Sequence, residues 1–152
     1  MSRRPGRSRR PHPSAPAQQA ECPCGPGRRY ATCCGRFVAQ SATGAAGPAP
    51  SGAAAAPTAE ALMRSRYSAF VRHETGYLLR TWHPRTRPER LDLDPGMRWT
   101  GLEILGTTQG TAFHDTGTVT FRASFRGGAL HERSRFERVD GAWVYVDGDF
   151  LD

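Results

Sequence analysis

The sequence predicts an α+β domain that follows a small, cysteine-rich, metal-binding module. Three observations support this prediction. Apolar residues recur at helical spacing over residues 58–82, apolar and polar residues alternate from residue 99 onward, and four cysteines fall within thirteen residues near the N-terminus. Two helices followed by an antiparallel meander are typical of α+β domains, in which the helices cover one face of the sheet.

The cysteine-rich segment, residues 21–38, contains every cysteine of the chain in the pattern Cys-x-Cys-x8-Cys-Cys, namely Cys22, Cys24, Cys33 and Cys34. Thiols this close together suit one tetrahedral zinc ion held by four thiolates. The segment has too few apolar residues for a core, so a structural zinc ion would supply its folding energy. Two disulfides are the alternative, although adjacent Cys33 and Cys34 would make a strained pair to bridge.

Positive charge is concentrated in the N-terminal part of the chain. Residues 1–57 carry eight arginines and one glutamate, whereas residues 58–152 carry thirteen arginines and thirteen carboxylates. A four-thiolate zinc site is itself negative, and nearby cations can compensate the thiolates. The cations placed to do so are Arg28, Arg29 and Arg36. The basic charge balance is therefore weak evidence for a nucleic-acid partner.

Two segments are predicted to lack a packed structure. Residues 1–20 form an Arg/Pro-rich tail that we expect to be disordered. Non-specific anion binding by Arg3–Arg10, including binding to nucleic acid, is the alternative for this tail. Residues 39–57 contain no charge and almost no bulky side chain, so they are predicted to be a flexible Ala/Gly/Pro linker that lets the module move independently.

The composition also bears on the compartment of the protein. The first twenty residues contain arginine and proline but no apolar run typical of a signal peptide. No stretch approaches the roughly 18 apolar residues that a membrane span requires. We therefore expect a soluble cytoplasmic protein that does not associate with membranes.

Two helices open the domain predicted over residues 58–152. Thr58 is placed as the N-cap of the first helix, with Glu60 in the first turn. The apolar stripe of this helix comprises Leu62, Met63, Tyr67, Phe70 and Val71, and the residues mostly off the stripe are Arg64, Ser65, Ser68 and Arg72. A second helix over residues 75–82 ends before Pro84. One further helical turn is predicted near residues 88–91.

Four strands follow, with alternation of apolar and polar residues as the evidence. The predicted strands cover residues 99–105, 111–126, 129–138 and 142–147. Gly127-Gly128 and Asp140-Gly141 are the predicted tight turns that separate the last three strands.

Several segments resemble known families. CPCGPGRRYATCCG is similar to the SEC-C motif, a zinc-binding segment also found at the C-terminus of the SecA translocation ATPase. Its four metal positions correspond to Cys22, Cys24, Cys33 and Cys34. Four further segments resemble the YchJ family of uncharacterised bacterial proteins, and these are LMRSRYSAF from Leu62, TWHP from Thr81, ERSRF from Glu132 and WVYVDG from Trp143.

The resemblance covers residues 21–38 and 58–150. It implies a cone-shaped fold like that of nuclear transport factor 2, with helices on a curved antiparallel sheet, preceded by a SEC-C module that holds structural Zn²⁺. It implies no reaction, because no activity is established for the family. In SecA the related module contacts the chaperone SecB and acidic surfaces, so the resemblance points to a protein partner bound through the zinc module.

A carboxylate is predicted on an inward-facing position of the third strand. Glu132 shares its strand face with Leu130, Ser134 and Phe136, and the apolar members indicate that this face points inward. A buried carboxylate is costly without a partner, which Arg64 or Arg66 could supply. One interpretation is a Glu–Arg clasp that joins helix to sheet. The other is a polar pocket lined by Arg64, Arg66, Tyr67, Trp82, His83 and Glu132.

His83 also has two interpretations. It lies at the predicted end of the second helix, where an imidazolium interacts favourably with the helix dipole. As a general base, it would instead need a position facing a substrate and a carboxylate to orient it. The sequence alone leaves both open.

Two functions are consistent with these residues and resemblances. The favoured one is a non-enzymatic adaptor, in which the zinc module docks a protein partner, with a link to secretion or chaperone handling. The alternative is a small-molecule enzyme of the isomerase or cyclase type that uses the pocket in the cone domain.

Overall fold

The structure is a computed structural model that describes residues 20–38 and 54–151. The predicted tail, residues 1–20, lies outside these ranges apart from its last residue. Of the predicted linker, only residues 54–57 are described. They lie against the rest of the molecule, because Ala54 N–H donates to Arg36 C=O at 3.0 Å and Pro57 C=O accepts from Trp143 Nε1 at 3.3 Å.

The cysteine module is a short, tight structure with little regular secondary structure. Its two arms meet in a bridge between Glu21 and Arg29. A 3₁₀ turn over Tyr30–Thr32 and the one-turn helix α1, Gly35–Val38, complete it. Glycine is required at the start of α1, because a Cβ on Gly35 would lie 2.6 Å from the carbonyl oxygen of Tyr30.

Two further helices follow, as predicted. Helix α2 covers Ala59–Val71, and Thr58 caps it by accepting a hydrogen bond from Ala61 N–H at 3.0 Å. Helix α3 covers Thr75–Arg80 and ends two residues before the predicted limit, because Trp82 leaves the helix to form a bridge with Tyr145. The helical turn predicted at residues 88–91 is not formed; a turn lies at residues 84–86 instead.

The strands form one antiparallel sheet in the order β1-β2-β3-β4. Their bounds are Trp99–Gln109, Thr116–Phe125, Gly128–Val139 and Ala142–Phe150. Asp140 and Gly141 make the predicted turn, both with positive φ. The other hairpin turn lies one residue earlier than predicted, at residues 126–127, because Gly128 already pairs with Phe125.

Helix α2 is buried on two sides, by the sheet and by the cysteine module. Phe37 and Val38 of the module belong to the same hydrophobic core as Leu62 of α2. Ser65 and Ser68, predicted to lie off the apolar stripe, are fully buried. The expectation that the module moves independently is therefore wrong, since the two units share one core.

In the part of the chain that the structure describes, no helix combines the length and apolar character needed to cross a bilayer.

Candidate functional site

The four cysteines lie close enough together to hold one metal ion. All four Sγ atoms are within 4.8 Å of one another, and Cys24 Sγ is 3.5 Å from the sulfurs of both Cys22 and Cys33. Four sulfurs at about 2.3 Å from a tetrahedral ion are separated by about 3.8 Å, which these distances match. The cysteines are free, so the structure does not contain the two disulfides considered as the alternative.

The backbone of the module sets the positions of the thiols. Gly25 N–H donates to Cys22 C=O at 3.3 Å, which turns the chain so that Cys22 and Cys24 come together. Gly27 adopts a φ of 79° in the same loop, a conformation that favours glycine. The adjacent pair Cys33 and Cys34 joins the 3₁₀ turn to α1.

Proton sharing among the thiols follows from their proximity. Hydrogen bonds from Cys24 and Cys34 lower the pKa of Cys22, whereas the bond shared with Cys22 raises the pKa of Cys24 to about 12. Crowded thiols therefore do not all ionise on their own, and a bound cation would take the place of their protons.

Of the three arginines predicted to compensate the thiolates, Arg28 does so most directly. A hydrogen bond with Cys33 is the main reason why the pKa of Arg28 is raised. Arg36 donates from Nε to the Cys33 carbonyl oxygen at 3.2 Å, so it contacts the backbone. Arg29 contributes its backbone to the bridge with Glu21.

Helix α2 contacts the cysteine cluster directly. Ser68 Oγ lies 3.6 Å from Cys22 Sγ, and Arg64 Nη1 donates to the Cys24 carbonyl oxygen at 3.3 Å. The guanidinium of Arg72 lies 3.9 Å from the centre of the Tyr30 ring. The cysteine cluster and the helix are therefore held together by polar contacts as well as by the shared core.

A second site lies on the other side of α2, where a cavity of about 190 Å³ opens between the helix and the sheet. Its lining residues are Met63, Arg66, Tyr67, Phe70, Trp82, Trp99, Phe121, Ala123, Leu130, Glu132, Ser134 and Tyr145. An apolar cavity with a few polar groups is the usual form of a small-molecule site.

Four of the six predicted pocket residues, Arg66, Tyr67, Trp82 and Glu132, line this cavity. Arg64 does not, because it pairs with Glu60 at 3.6 Å and with the module. His83 does not either: its Nε2 lies 3.2 Å from Glu137 and its Nδ1 accepts from Arg85 N–H. The carboxylate expected beside a general base is present, but away from the cavity.

Arg66 is a buried cation held by the helices. Its Nη1 donates to Leu78 C=O at 2.8 Å and to Thr81 Oγ1 at 2.7 Å, and its Cζ lies 5.2 Å from the Trp82 ring centre and 4.8 Å from that of Tyr145. Burial lowers the pKa of Arg66 to about 10, so the side chain stays charged at neutral pH. Both hydrogen bonds leave from Nη1.

Glu132 is a buried carboxylate held by the sheet. Its Oε1 accepts from Ser134 Oγ at 3.0 Å and from Tyr145 Oη at 3.1 Å. Within the described ranges it forms no ion pair with Arg64 or Arg66, so the predicted clasp is not present. Its carboxylate occupies space left by Gly148, where a Cβ would come within 2.8 Å of Glu132 Cδ.

Sequence reasoning missed several cavity residues. Tyr145 is the most important, because it contacts both Arg66 and Glu132; its place in WVYVDG, two residues after Trp143, was the available signal. Trp99 also went unassigned, since it stands at the first residue of a strand. The indole Nε1 of Trp82 is buried without a hydrogen-bond partner, which no pattern in the sequence indicates.

The chain has close relatives among bacterial proteins. Residues 58–148 match the sequence model of the YchJ middle, NTF2-like domain. A UPF0225 protein of Streptomyces coelicolor is 72% identical over 131 residues, which cover 86% of this chain and 96% of that protein. A UPF0225 protein of Streptomyces avermitilis is 65% identical over 140 residues, 92% of this chain and 91% of that protein.

Solved structures agree with the fold. A SEC-C motif containing protein from Rhodopseudomonas palustris superposes with a TM-score of 0.68 at 32% identity, covering 88% of this chain and 100% of that one. A sec-c motif containing protein from Psychrobacter arcticus gives a TM-score of 0.63 at 28% identity, covering 90% and 82% respectively. With its NTF2-like α+β domain and its cysteine cluster, the chain belongs to the YchJ (UPF0225) family.

Proposed function

We propose that this protein binds a small molecule in the cavity beneath α2, and that its cysteine module holds one structural zinc ion. The observation that carries the first part is a pair of opposite buried charges, Arg66 and Glu132, that line an apolar cavity without pairing. Each is hydrogen-bonded by neighbouring protein groups, but neither has an ion-pair partner, and burying a charge without an oppositely charged partner is costly. A ligand that supplies partners for both would offset that cost.

Hydrogen-bonding capacity is left over on both side chains. The side-chain hydrogen bonds of Arg66 described above use Nη1 alone, and those of Glu132 use Oε1 alone. The remaining N–H groups of Arg66 and the second oxygen of Glu132 are thus available to a ligand, and a few placed polar groups in an apolar cavity fix a bound molecule in one orientation.

The proposal is tested by filling the cavity. Ala123 is 2% exposed on the cavity face of β2, so Ala123→Leu would occupy ligand space. Ser124→Leu, on the opposite face of the same strand, is the matched control. Fragments would be screened against the wild type by ligand-observed NMR and by intrinsic tryptophan fluorescence, to which Trp82 and Trp99 of the cavity contribute.

We expect fragments that bind the wild type and Ser124→Leu but not Ala123→Leu, with all three proteins folded by circular dichroism. If every fragment that binds wild type binds Ala123→Leu equally well, or none binds at all, the cavity is not a ligand site.

Support for zinc comes from the donor set. Four thiolates are typical of structural zinc sites, and four protein ligands leave no position open for a substrate. Metal analysis of reduced protein should give about one equivalent of zinc per chain, and less in Cys33→Ser. A wild-type content well below one equivalent would contradict this part of the proposal.

A catalytic version of the proposal uses the same cavity. For an isomerase or cyclase, Glu132 is the carboxylate to test as the base, because His83 lies outside the cavity lining. Glu132→Gln should then abolish turnover of any substrate found, by more than its loss of substrate affinity accounts for.

The second candidate function is the adaptor, and one observation favours it. Arg28, Arg29 and Arg36 are all exposed, so the module offers positive charge to an acidic protein partner, including one from secretion or chaperone handling. Pulldowns with wild type and with all three arginines changed to glutamate test this idea. Equal partner lists from both proteins would remove it.

A further inference from the structure

The charged side chains of the cavity constrain the chemistry of the ligand. Tyr145 contacts both of them: its ring centre lies 4.8 Å from Arg66 Cζ, and its hydroxyl lies 3.1 Å from Glu132 Oε1. One tyrosine side chain therefore contacts both the cation and the anion. Among the residues that line the cavity, they are the one arginine and the one carboxylate.

A ligand with a single net charge fits this arrangement poorly. An anion would pair with Arg66 and leave Glu132 facing an added negative charge, and a cation would do the reverse with Arg66. Either complex places an uncompensated charge in a low-dielectric cavity, which is costly. A molecule with both signs of charge and no net charge leaves no uncompensated charge in the cavity.

We propose that the cavity selects a small zwitterion with an apolar body, such as an aliphatic α-amino acid, whose carboxylate binds Arg66 and whose ammonium group binds Glu132. This inference rests on the proposed function as a ligand-binding protein and specifies its ligand class. The rest of the wall is apolar, with Met63, Phe121 and Leu130 available to contact a hydrocarbon side chain.

The size of the cavity agrees with a ligand of this kind. Its volume of about 190 Å³ is below the roughly 300–1,000 Å³ of sites for drug-sized molecules. A cavity of about 150 Å³ holds one benzene molecule. A branched aliphatic side chain with a compact polar head is therefore of a size that the cavity can enclose.

The experiment compares three matched probes by isothermal titration calorimetry on the intact zinc-loaded chain. The probes are L-leucine, isocaproate, which lacks the amino group, and isopentylamine, which lacks the carboxylate. We expect leucine to bind at least about tenfold more tightly than either analogue, because each analogue leaves one buried charge without its partner. Equal or tighter binding of an analogue overturns the zwitterion inference.

Charge neutralisation at Glu132 gives a second, sharper measurement. Glu132→Gln keeps the shape and an amide oxygen for Ser134 and Tyr145, but leaves the cavity with one net positive charge. In this variant, the ratio of the isocaproate affinity to the leucine affinity should rise about tenfold. Glu103→Gln, an equal charge change on the exposed part of β1, should leave the order of the probes unchanged. An unchanged order in Glu132→Gln overturns the inference.

The outcomes separate the ligand class from the ligand-binding function. If fragments bind in the cavity but leucine does not, the ligand class is wrong and the ligand-binding function stands. If neither the probes nor any fragment distinguishes Ala123→Leu from wild type, the ligand-binding function itself fails.

Discussion

The carboxylate of Glu132 is seated against the bare backbone of Gly148 on the neighbouring strand. A Cβ at residue 148 would lie 2.8 Å from Glu132 Cδ and 3.0 Å from its Cγ. A methyl group cannot be added there unless the carboxylate moves. The position of the Glu132 carboxylate therefore depends on the absence of a side chain at residue 148.

Gly148→Ala should accordingly displace Glu132, and it should lower the free energy of unfolding by about 1–3 kcal/mol, the usual cost of overpacking. Ligand affinity should fall with it. Urea denaturation and calorimetry measure the two effects. Gly106→Ala on β1 is the matched control, because a Cβ there meets nothing within 4 Å; equal behaviour of the two variants would contradict the role of Gly148.

Metal removal should weaken the whole molecule, because the module and α2 share one core. If the free energy of unfolding falls by about 3 kcal/mol, the Tm should fall by roughly 6–12 °C, because each kcal/mol corresponds to roughly 2–4 °C. Differential scanning calorimetry before and after chelation measures this, and restoring zinc should restore the Tm. Cys33→Ser should begin near the lower Tm and respond little to the chelator. A Tm that chelation leaves unchanged would contradict the coupling.

The contact between Arg72 and Tyr30 should stabilise the docking of the module on α2. At 3.9 Å from the ring centre, the partly buried guanidinium is well placed for a cation–π interaction of about 1–2 kcal/mol. A double-mutant cycle with Arg72→Met and Tyr30→Leu, followed by urea denaturation, measures the coupling. The pair Arg36 and Phe37, at 4.8 Å and with an exposed arginine, is the control and should give about 0.5 kcal/mol; equal couplings would count against the prediction.

Stability at alkaline pH should depend on Tyr77. Burial raises its pKa to about 12, from an ordinary 10.0, so the folded protein keeps a proton that the unfolded chain releases. The stabilisation is complete below pH 10 and is lost as the pH rises towards 12, at up to about 1.4 kcal/mol per pH unit.

The lowered pKa of Arg66, about 10, makes the free energy of unfolding rise with pH over the same range. The contribution of Tyr77 is therefore measured by comparing the wild type with Tyr77→Phe, since both proteins contain Arg66. This variant also loses the 2.6 Å hydrogen bond to Ser65, but its unfolding free energy should fall less steeply between pH 10 and 12 than that of the wild type. Parallel pH profiles from urea denaturation would show that Tyr77 does not titrate as expected.

Much of the fold could be predicted because single elements depend on local sequence. The cap at Thr58, the alternation along β3 and the Asp140-Gly141 turn each depend on a few neighbouring residues. The hairpin at Gly127 was misplaced by one residue, since either glycine can adopt the positive φ that the turn requires, and the pairing of Gly128 with Phe125 decides between them.

The site was harder, because it depends on which elements meet. The pattern of α2 gave one apolar stripe, yet Ser65 and Ser68 are buried too, since the module and α3 pack where solvent was expected. Glu132 was correctly placed on the inner face of its strand. Its hydrogen-bond partner Tyr145 lies on the adjacent strand, and strand pairing is not encoded at any fixed spacing. The sequence predicts a carboxylate partner for Arg66. In the structure, Arg66 instead contacts two aromatic rings, a hydroxyl and a backbone oxygen.

The burial of α2 on two sides also decides how this chain can be divided. Phe37 and Val38 are 6% and 1% exposed, and removing the segment that carries them would uncover apolar surface on a helix that also forms the cavity wall. A fragment lacking residues 20–38 would tend to self-associate, and its binding data would describe a damaged protein. Dissection into separate pieces is therefore the wrong route to either activity, and single substitutions in the intact chain are the right one.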